Sequence, residues 1–143
     1  MHNLGAGAID PTWVWIAVAV VVAVAALLVW VVVAKGRPFT DGDVFRASRM
    51  SAGNRLFPTQ VAITKDSVVQ YKPKWIGHSE EVIHVAHIAS VKISTGAMLS
   101  DIEIETSGGS DPISCHGHHK SDAVKMKALI EQYQGAYYRN KPV

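Results

Sequence analysis

The chain has 143 residues and a formal net charge of only +2, with fourteen Lys and Arg residues against twelve Asp and Glu residues. This small basic excess argues against a nucleic-acid-binding protein, because such proteins gather a large positive charge on one face. The single cysteine excludes an intramolecular disulfide, and nothing in the composition points to an oxidising compartment.

The first predicted element is an uncharged apolar segment that is long enough to cross a membrane. Residues 13–34 read WVWIAVAVVVAVAALLVWVVVA. As a helix they would span about 33 Å, against a hydrocarbon core of about 30 Å. Valine favours a strand in water, but an isolated strand in lipid leaves its amides unpaired, so a helix is expected. Trp13, Trp15 and Trp30 stand near the two ends, where indole rings prefer the membrane interface.

The charges that flank this segment predict its orientation. Residues 1–12 contain no Lys or Arg, whereas Lys35 and Arg37 follow the segment directly. The positive-inside rule therefore predicts an N-terminus outside the cytoplasm and a C-terminal domain inside it. A cleaved signal peptide is the alternative, but it would need a positive N-terminal region, a shorter apolar core and a small-x-small cleavage site.

The side chains inside the segment offer little chemistry. None is His, Cys, Met or acidic, so the helix provides no axial ligand for a haem or chlorophyll pigment and no proton relay. It is expected to act as an anchor or as a packing surface. Ala19, Ala23 and Ala26 share one helical face and would let a neighbouring helix approach closely, although alanine is also simply common in such helices.

Residues 35–54 are predicted to form a juxtamembrane linker. The stretch KGRPFTDGD contains Gly, Pro and two acids, which favour irregular structure. The following DVFRASRM could form a short surface helix that presents Arg46 and Arg49 to lipid headgroups, or an irregular connector with solvated arginines. The folded domain is predicted to begin at residue 55.

From residue 55 onward, short β-type runs alternate with turn residues. The predicted strands lie in LFPTQVAIT, SVVQYK, EEVIHV, SVKIST, MLSDIEIET and ISCHG. In the first of them, Leu56, Val61 and Ile63 are expected to face inward.

After the last strand the apolar period becomes helical. HKSDAVKMKALIEQYQ is predicted to form a closing helix with Ser121 as its N-terminal cap. Its buried face is predicted to carry Ala123, Met126, Leu129, Ile130 and Tyr133. Residues 136–143 are predicted to form a loose tail.

A segment of the sequence reads HVAHIASVKISTGAMLSDIEIETSGGSDPISCHGHHKSDAVKMKALIEQ. This segment resembles bacterial pleckstrin-homology-like (PH-like) domains attached to membrane helices. The resemblance covers roughly residues 55–135. Its marks are the strand hIaSVkI, the DIEIETSGG strand and hairpin, and the helix after the HGhhKsDAV turn. It implies an α+β, mainly β fold at the bacterial inner membrane, in which a bent antiparallel sheet is capped by the C-terminal helix. Such domains mostly serve binding, scaffolding or oligomerisation, so no catalysis and no cofactor are expected.

Lipid-binding relatives of these domains hold phosphoinositide headgroups with a basic loop between the first two strands. Here that loop is expected around residues 65–67, where one base stands beside one acid, so the site is not expected. Lys72, Lys74 and Trp75 form an alternative basic-aromatic loop that could touch anionic lipid or a partner. The other interpretation is a solvated turn with its tryptophan tucked against the sheet.

Cys115, His116, His118 and His119 form a possible metal site, because thiolate and imidazole are usual ligands of zinc and copper. However, alternate strand residues face opposite sides, so Cys115 and His116 should diverge, and no CxxC or HxxxH pair supplies a second arm. We therefore expect that these residues bind no metal. The histidines are expected to lie at the surface or at a sheet edge, and Cys115 is expected to be a buried, inert thiol.

Together these patterns predict a non-enzymatic, membrane-anchored accessory or scaffolding subunit. Its expected partners are the lipid bilayer and other integral membrane subunits, which the cytoplasmic domain would brace or recruit. Photosynthetic, respiratory, secretion and transport complexes all stay open as hosts. The alternatives are an independent lipid- or peptide-sensing module and a metal- or thiol-dependent enzyme.

Overall fold

The computed structural model describes residues 10–35, 39, 41–109 and 111–141. The chain divides into two units, 1–34 and 35–143, which are described separately. Within the described residues, the elements in chain order are α1 (Pro11–Lys35), β1 (Asp43–Arg46), β2 (Gln60–Ile63), β3 (Ser67–Pro73), β4 (His78–His84), a 3-10 turn (Val85–His87), β5 (Ile88–Thr95), β6 (Leu99–Thr106), β7 (Ile113–His119) and α2 (Lys120–Asn140).

Helix α1 confirms the predicted N-terminal helix and extends it slightly at both ends. It has 25 residues, which correspond to about 37 Å at 1.5 Å per residue. Proline suits its first position, where a backbone donor would have no intrahelical partner. None of its residues is buried. By length and composition, this helix could cross a membrane or serve as a signal sequence.

The first sheet is an antiparallel meander in the order β1-β2-β3-β4. All four residues of β1 pair with β2, from Asp43 opposite Ile63 to Arg46 opposite Gln60. The surface helix predicted for residues 43–50 is therefore wrong, and the irregular connector is wrong for 43–46 but holds for 47–50. A segment this short gains little as an isolated helix, whereas the edge of β2 supplies partners for its backbone. Part of the predicted linker 35–54 thus belongs to the sheet.

The strand observed in the segment LFPTQVAIT is shorter than predicted. Strand β2 begins at Gln60, and Val61 and Ile63 are buried as expected. Leu56, which was expected to face inward, is 59% exposed. It lies in the β1–β2 loop, residues 47–59, beyond the hydrogen-bonded ladder, so strand alternation does not apply to it. Pro58 cannot donate to a ladder and helps to delay the strand.

The second sheet has the order β5-β6-β7 and is also antiparallel. Buried apolar side chains of both sheets form one core together with α2. The α+β, mainly β architecture with a closing helix is confirmed. As predicted, Ala123, Met126 and Ile130 of α2 are buried, and Leu129 and Tyr133 pack against the core.

Both ends of α2 differ from the prediction. The helix begins at Lys120, so Ser121 lies inside it, and the N-cap residue is His119. At the other end α2 continues to Asn140, so most of the predicted tail is helical. The reason is tertiary: Tyr137 packs against the core, and the Tyr138 hydroxyl donates to the backbone of Ala86 at 3.2 Å.

Candidate functional site

The cysteine-histidine segment lies on β7, where a bulge interrupts its pairing with β6. Ser100 pairs with His118 and Ile102 pairs with Cys115, so two residues of β7 stand opposite Asp101 alone. Gly117 has a φ of +76°, which glycine adopts without a steric penalty. The bulge changes which face each later side chain of β7 occupies.

Polar groups around this bulge fasten the β1–β2 loop to β7. The Gly117 amide donates to Asp101 Oδ1 at 2.8 Å, and the Gly117 carbonyl accepts from the Ser48 amide at 2.7 Å. Asn54 is buried; its amide group donates to the His116 carbonyl, and its Oδ1 accepts from the Thr59 amide. These bonds occupy loop groups that would otherwise need water or a ligand.

Asp101 also lies 3.2 Å from the Nδ1 atom of His116. Partial desolvation acts to raise the pKa of Asp101, but the hydrogen bond from Gly117 and the contact with His116 outweigh it. The pKa of this carboxyl therefore lies below its usual value. Asp101 is thus an anionic acceptor that holds the bulge, rather than a proton donor.

His118 is fully buried, whereas His116 and His119 are exposed. The expectation of surface and edge histidines is wrong for His118, because the bulge turns it inward. Neither of its ring nitrogens has a hydrogen-bond partner among the described residues. Burial lowers the pKa of His118, although the carboxylates of Asp122 and Asp101 oppose that shift. The ring is therefore held neutral in the core.

Cys115 is a buried thiol, as expected, and faces away from the exposed His116. Burial raises the pKa of Cys115 to about 12. Its sulfur accepts a hydrogen bond from the Gln70 side chain at 3.2 Å. Across residues 10–35, 39, 41–109 and 111–141, no three His, Cys, Asp or Glu side chains are grouped to hold a metal ion. A thiol with so high a pKa is a poor nucleophile.

The predicted basic-aromatic loop is the turn between β3 and β4. Pro73 ends β3, the Lys74 amide donates to the Gly77 carbonyl at 3.1 Å, and Gly77 has a φ of +78°. Trp75 is 67% exposed and Ile76 is 90% exposed. The interpretation with a tucked tryptophan is therefore wrong: the turn displays two large apolar side chains to its surroundings.

Rings from other segments surround the end of this hairpin. Phe57 of the β1–β2 loop lies against Trp75, with centroids 5.6 Å apart. Tyr71 stacks on His78 at 4.9 Å across β3 and β4, and Phe39 meets Tyr71 edge-on at 5.8 Å. We call Phe57, Trp75 and Ile76 the apolar tip. Sequence reasoning identified Trp75 but missed Phe57 and Ile76, although the apolar pair Trp75-Ile76 in a turn was itself a signal.

The predicted basic residues do not form one cluster with the apolar tip. Lys74 belongs to the turn and is exposed, whereas Lys72 is half-buried and forms a 3.7 Å ion pair with Glu81. Arg46 ends β1 and Arg49 lies in the β1–β2 loop; both are exposed. An ion pair that is partly exposed, such as that of Lys72 and Glu81, contributes little to stability.

The residues predicted for the membrane segment lie on α1. Its exposed side chains include those of Trp13, Trp15, Trp30, Ala19, Ala23 and Ala26. Lys35 is the last residue of the helix, and Arg37 lies outside the described residues. The spacing of the three alanines places them on one helical face, as predicted.

Two clefts border α2, and sequence reasoning missed both. One, of about 620 Å³, lies between the β2–β3 turn and the end of α2, with Lys65, Tyr137 and Arg139 in its lining. The other, of about 440 Å³, separates edge strand β1 from α2 and is lined partly by Phe45 and Leu129. They were missed because β1 and the last turns of α2 were not predicted.

No protein-family model and no curated protein matches this chain. Among solved structures, it is similar to the crystal structure of a DUF1696 family protein with a pleckstrin-homology domain from Shewanella loihica PV-4. The sequence identity is 14% and the TM-score is 0.45, and the match covers 66% of this chain and 99% of that one. The architecture described above therefore rests on this chain's own strand order and closing helix.

Proposed function

We propose that this chain is a non-catalytic, single-pass membrane-anchored accessory or scaffolding subunit of a larger integral membrane complex. In this proposal α1 spans the inner membrane with its N-terminus outside, and the PH-like domain braces or recruits a neighbour in the cytoplasm. The supporting observation is a 25-residue apolar helix with no buried residue, in a chain whose residues 1–34 and 35–143 form two compact units.

The exposed surface of α1 favours an anchor. Soluble proteins rarely display an apolar surface of this extent, because its transfer out of water is strongly favourable. The helix is also longer than the apolar core of a cleaved signal peptide, and residues 1–12 contain no Lys or Arg. A bilayer, together with a neighbouring helix at the alanine face, would cover this surface.

The state of the reactive side chains supports a non-catalytic role. Cys115 is buried with a raised pKa, Asp101 and His116 hold the bulge, and His118 is enclosed in the core. Asp101 and His116 are thus occupied by the fold, and Cys115 and His118 are closed off from solvent. A catalytic base or nucleophile would instead need access to substrate and a pKa near the working pH.

The groove between β1 and α2 supports a partner-binding role. Strand β1 lies at the edge of its sheet, and the groove beside it combines the apolar side chains of Val44 and Leu129 with Lys125 and Asp43. An extended partner segment could pair with such an edge while its side chains enter the groove.

The test combines topology with purification of the native assembly. An impermeant maleimide should label an Ala6→Cys chain on intact spheroplasts, and should label Lys141→Cys only after lysis. The native Cys115 is buried and serves as the internal unlabelled control. After gentle detergent extraction, the chain should elute with other integral membrane proteins, identified by mass spectrometry. A mature chain that begins after Ala34, or a chain that elutes alone as a monomer, would contradict the proposal.

An independent lipid-sensing module is the second candidate, and the exposed apolar tip favours it. That function predicts a chain without stable protein partners whose domain binds anionic vesicles in a salt-sensitive manner. Purification as an isolated monomer, combined with such binding, would select it over the scaffolding subunit.

A further inference from the structure

The apolar tip carries the most exposed large apolar side chain of the described residues, Ile76 at 90%, next to Trp75 at 67%. Trp75 and Ile76 occupy a four-residue turn whose conformation is fixed by the bond from Lys74 to Gly77 and by the positive φ of Gly77. Phe57 supports Trp75 from the neighbouring loop. A rigid turn that presents tryptophan and isoleucine outward is suited to insertion into an apolar or interfacial medium.

The charge around the apolar tip indicates which medium this is. The segments RLFP (55–58) and YKPKWIGH (71–78) contain Arg55, Lys72 and Lys74 but no acidic residue. Lys72 is paired with Glu81, whereas Arg55, two residues before Phe57, and Lys74, next to Trp75, are exposed. Basic side chains that flank exposed aromatic and aliphatic groups complement the anionic headgroups of a cytoplasmic leaflet.

The course of the chain keeps the turn end of the β3–β4 hairpin close to Lys35, which directly follows the predicted apolar span 13–34. Phe39 packs against Tyr71, which stacks on His78 at the turn end of the hairpin. Four residues can span at most about 14 Å, so Phe39 stays within that distance of Lys35. The hairpin end that carries the apolar tip is therefore the end at which the chain enters the domain.

We propose that the apolar tip docks the domain onto the bilayer that carries α1, with Trp75 and Ile76 seated at the boundary between headgroups and acyl chains. The inference rests on the membrane anchorage in the proposed function and adds a second, peripheral contact to it. The two contacts together would fix the orientation of the domain, so that the groove beside β1 is presented to partners in a defined direction.

The experiment uses the full chain with an Ile76→Cys substitution, labelled with an environment-sensitive fluorophore. Cys115 is buried and stays unlabelled in the native protein. Met98→Cys is the matched control, since Met98 is also apolar, 71% exposed and in a hairpin turn, the one between β5 and β6. Both proteins are reconstituted into phosphatidylcholine vesicles with roughly a third phosphatidylglycerol, with or without lipid that carries a nitroxide near the glycerol.

At position 76 the emission should shift to the blue, and the nitroxide lipid should remove roughly half of its intensity. Position 98 should change little. Adding Trp75→Ser to the Ile76→Cys chain should reduce the quenching roughly twofold, because the larger insertion anchor is lost, whereas Trp75→Phe should preserve it. Because all these side chains are exposed, the variants are expected to fold normally.

Extraction with alkaline carbonate separates the two ways in which this can fail. A chain that stays in the membrane but shows no quenching at position 76 overturns the docking, while the anchorage stands. A chain that carbonate releases overturns both. Equal quenching at positions 76 and 98, or a blue shift at 76 without quenching, also overturns the docking, since the first shows nonspecific adsorption and the second shows burial against protein.

Discussion

Replacing Gly117 by alanine should destabilise the domain more than a substitution at any exposed position. A Cβ atom at this position would lie 2.2 Å from Cβ and 2.3 Å from Oγ of Ser51, and the backbone φ of +76° disfavours any side chain. The left-handed conformation costs about 1 kcal/mol and forced overpacking about 1–3 kcal/mol. We expect a loss of about 3 kcal/mol in the free energy of unfolding, or about 15 °C in Tm.

The buried thiol provides the assay. Cys115 is enclosed in the folded domain and becomes accessible when the domain opens. A short pulse of thiol reagent at increasing urea concentration, applied to the full chain in detergent, therefore reports on the domain and not on α1. The Gly117→Ala chain should reach half-labelling at a markedly lower urea concentration.

Two matched variants separate the causes. Gly109 has a similar φ of +73° but open space around it. Gly109→Ala should therefore lower the free energy of unfolding only by the cost of the left-handed backbone conformation. Adding Ser51→Gly to Gly117→Ala should recover the steric part of the loss. If Gly117→Ala and Gly109→Ala shift the urea midpoint equally, the close approach of Ser51 does not constrain the bulge and this reasoning is refuted.

Three further predictions concern the core and its closing helix. Without denaturant at pH 8, Cys115 should react with thiol reagents orders of magnitude more slowly than after unfolding, because burial raises its pKa to about 12; comparable rates would contradict its enclosure. Burial lowers the pKa of His118 in the folded domain below its ordinary value of 6.5. Above pH 6.5 this shift does not change the free energy of unfolding, but below pH 6.5 the unfolded chain binds a proton that the folded ring does not bind. The urea midpoint should therefore fall as the pH decreases below 6.5, and His118→Leu should remove this dependence; below about pH 4, protonation of Asp101, whose pKa is lowered in the fold, should destabilise the domain further. Deleting residues 136–143 removes the packing of Tyr137 and should cost about 2 kcal/mol in the same assay, whereas an unchanged midpoint would show that the last turns of α2 contribute nothing.

The parts of the fold that sequence could predict are those with long periodic patterns. Strand β6 alternates along its eight residues, and α2 repeats its apolar positions over several turns, so the sequence pattern predicts their buried faces directly. Strand β1 has only four residues, and its pairing depends on an edge supplied by β2. No local pattern records such a partner, which is why this strand was taken for a linker.

In the cysteine-histidine segment of β7, one β-bulge makes the alternation of strand side chains a wrong guide to which residues are buried. With an unbroken ladder, Cys115 and His118 would face opposite sides of the sheet; the extra residue at Gly117 brings both inward. A glycine inside an apolar strand was the available signal, because it commonly marks a bulge or a close backbone approach. The sequence alone did not show which loop approaches it, since Ser48, Ser51 and Asn54 come from a distant segment.

Exposed apolar surface ties together the two parts of the proposed function. In a freely diffusing domain, Trp75 and Ile76 would promote association with other apolar surfaces, and burial of each would be worth roughly 2 kcal/mol. A domain held beside a bilayer by α1 meets the membrane interface at high effective concentration, so a contact too weak to recruit a free protein can still be occupied. Under the proposed anchorage, few basic residues would be needed at the apolar tip, because the helix would supply the affinity and the tip would only have to select an orientation.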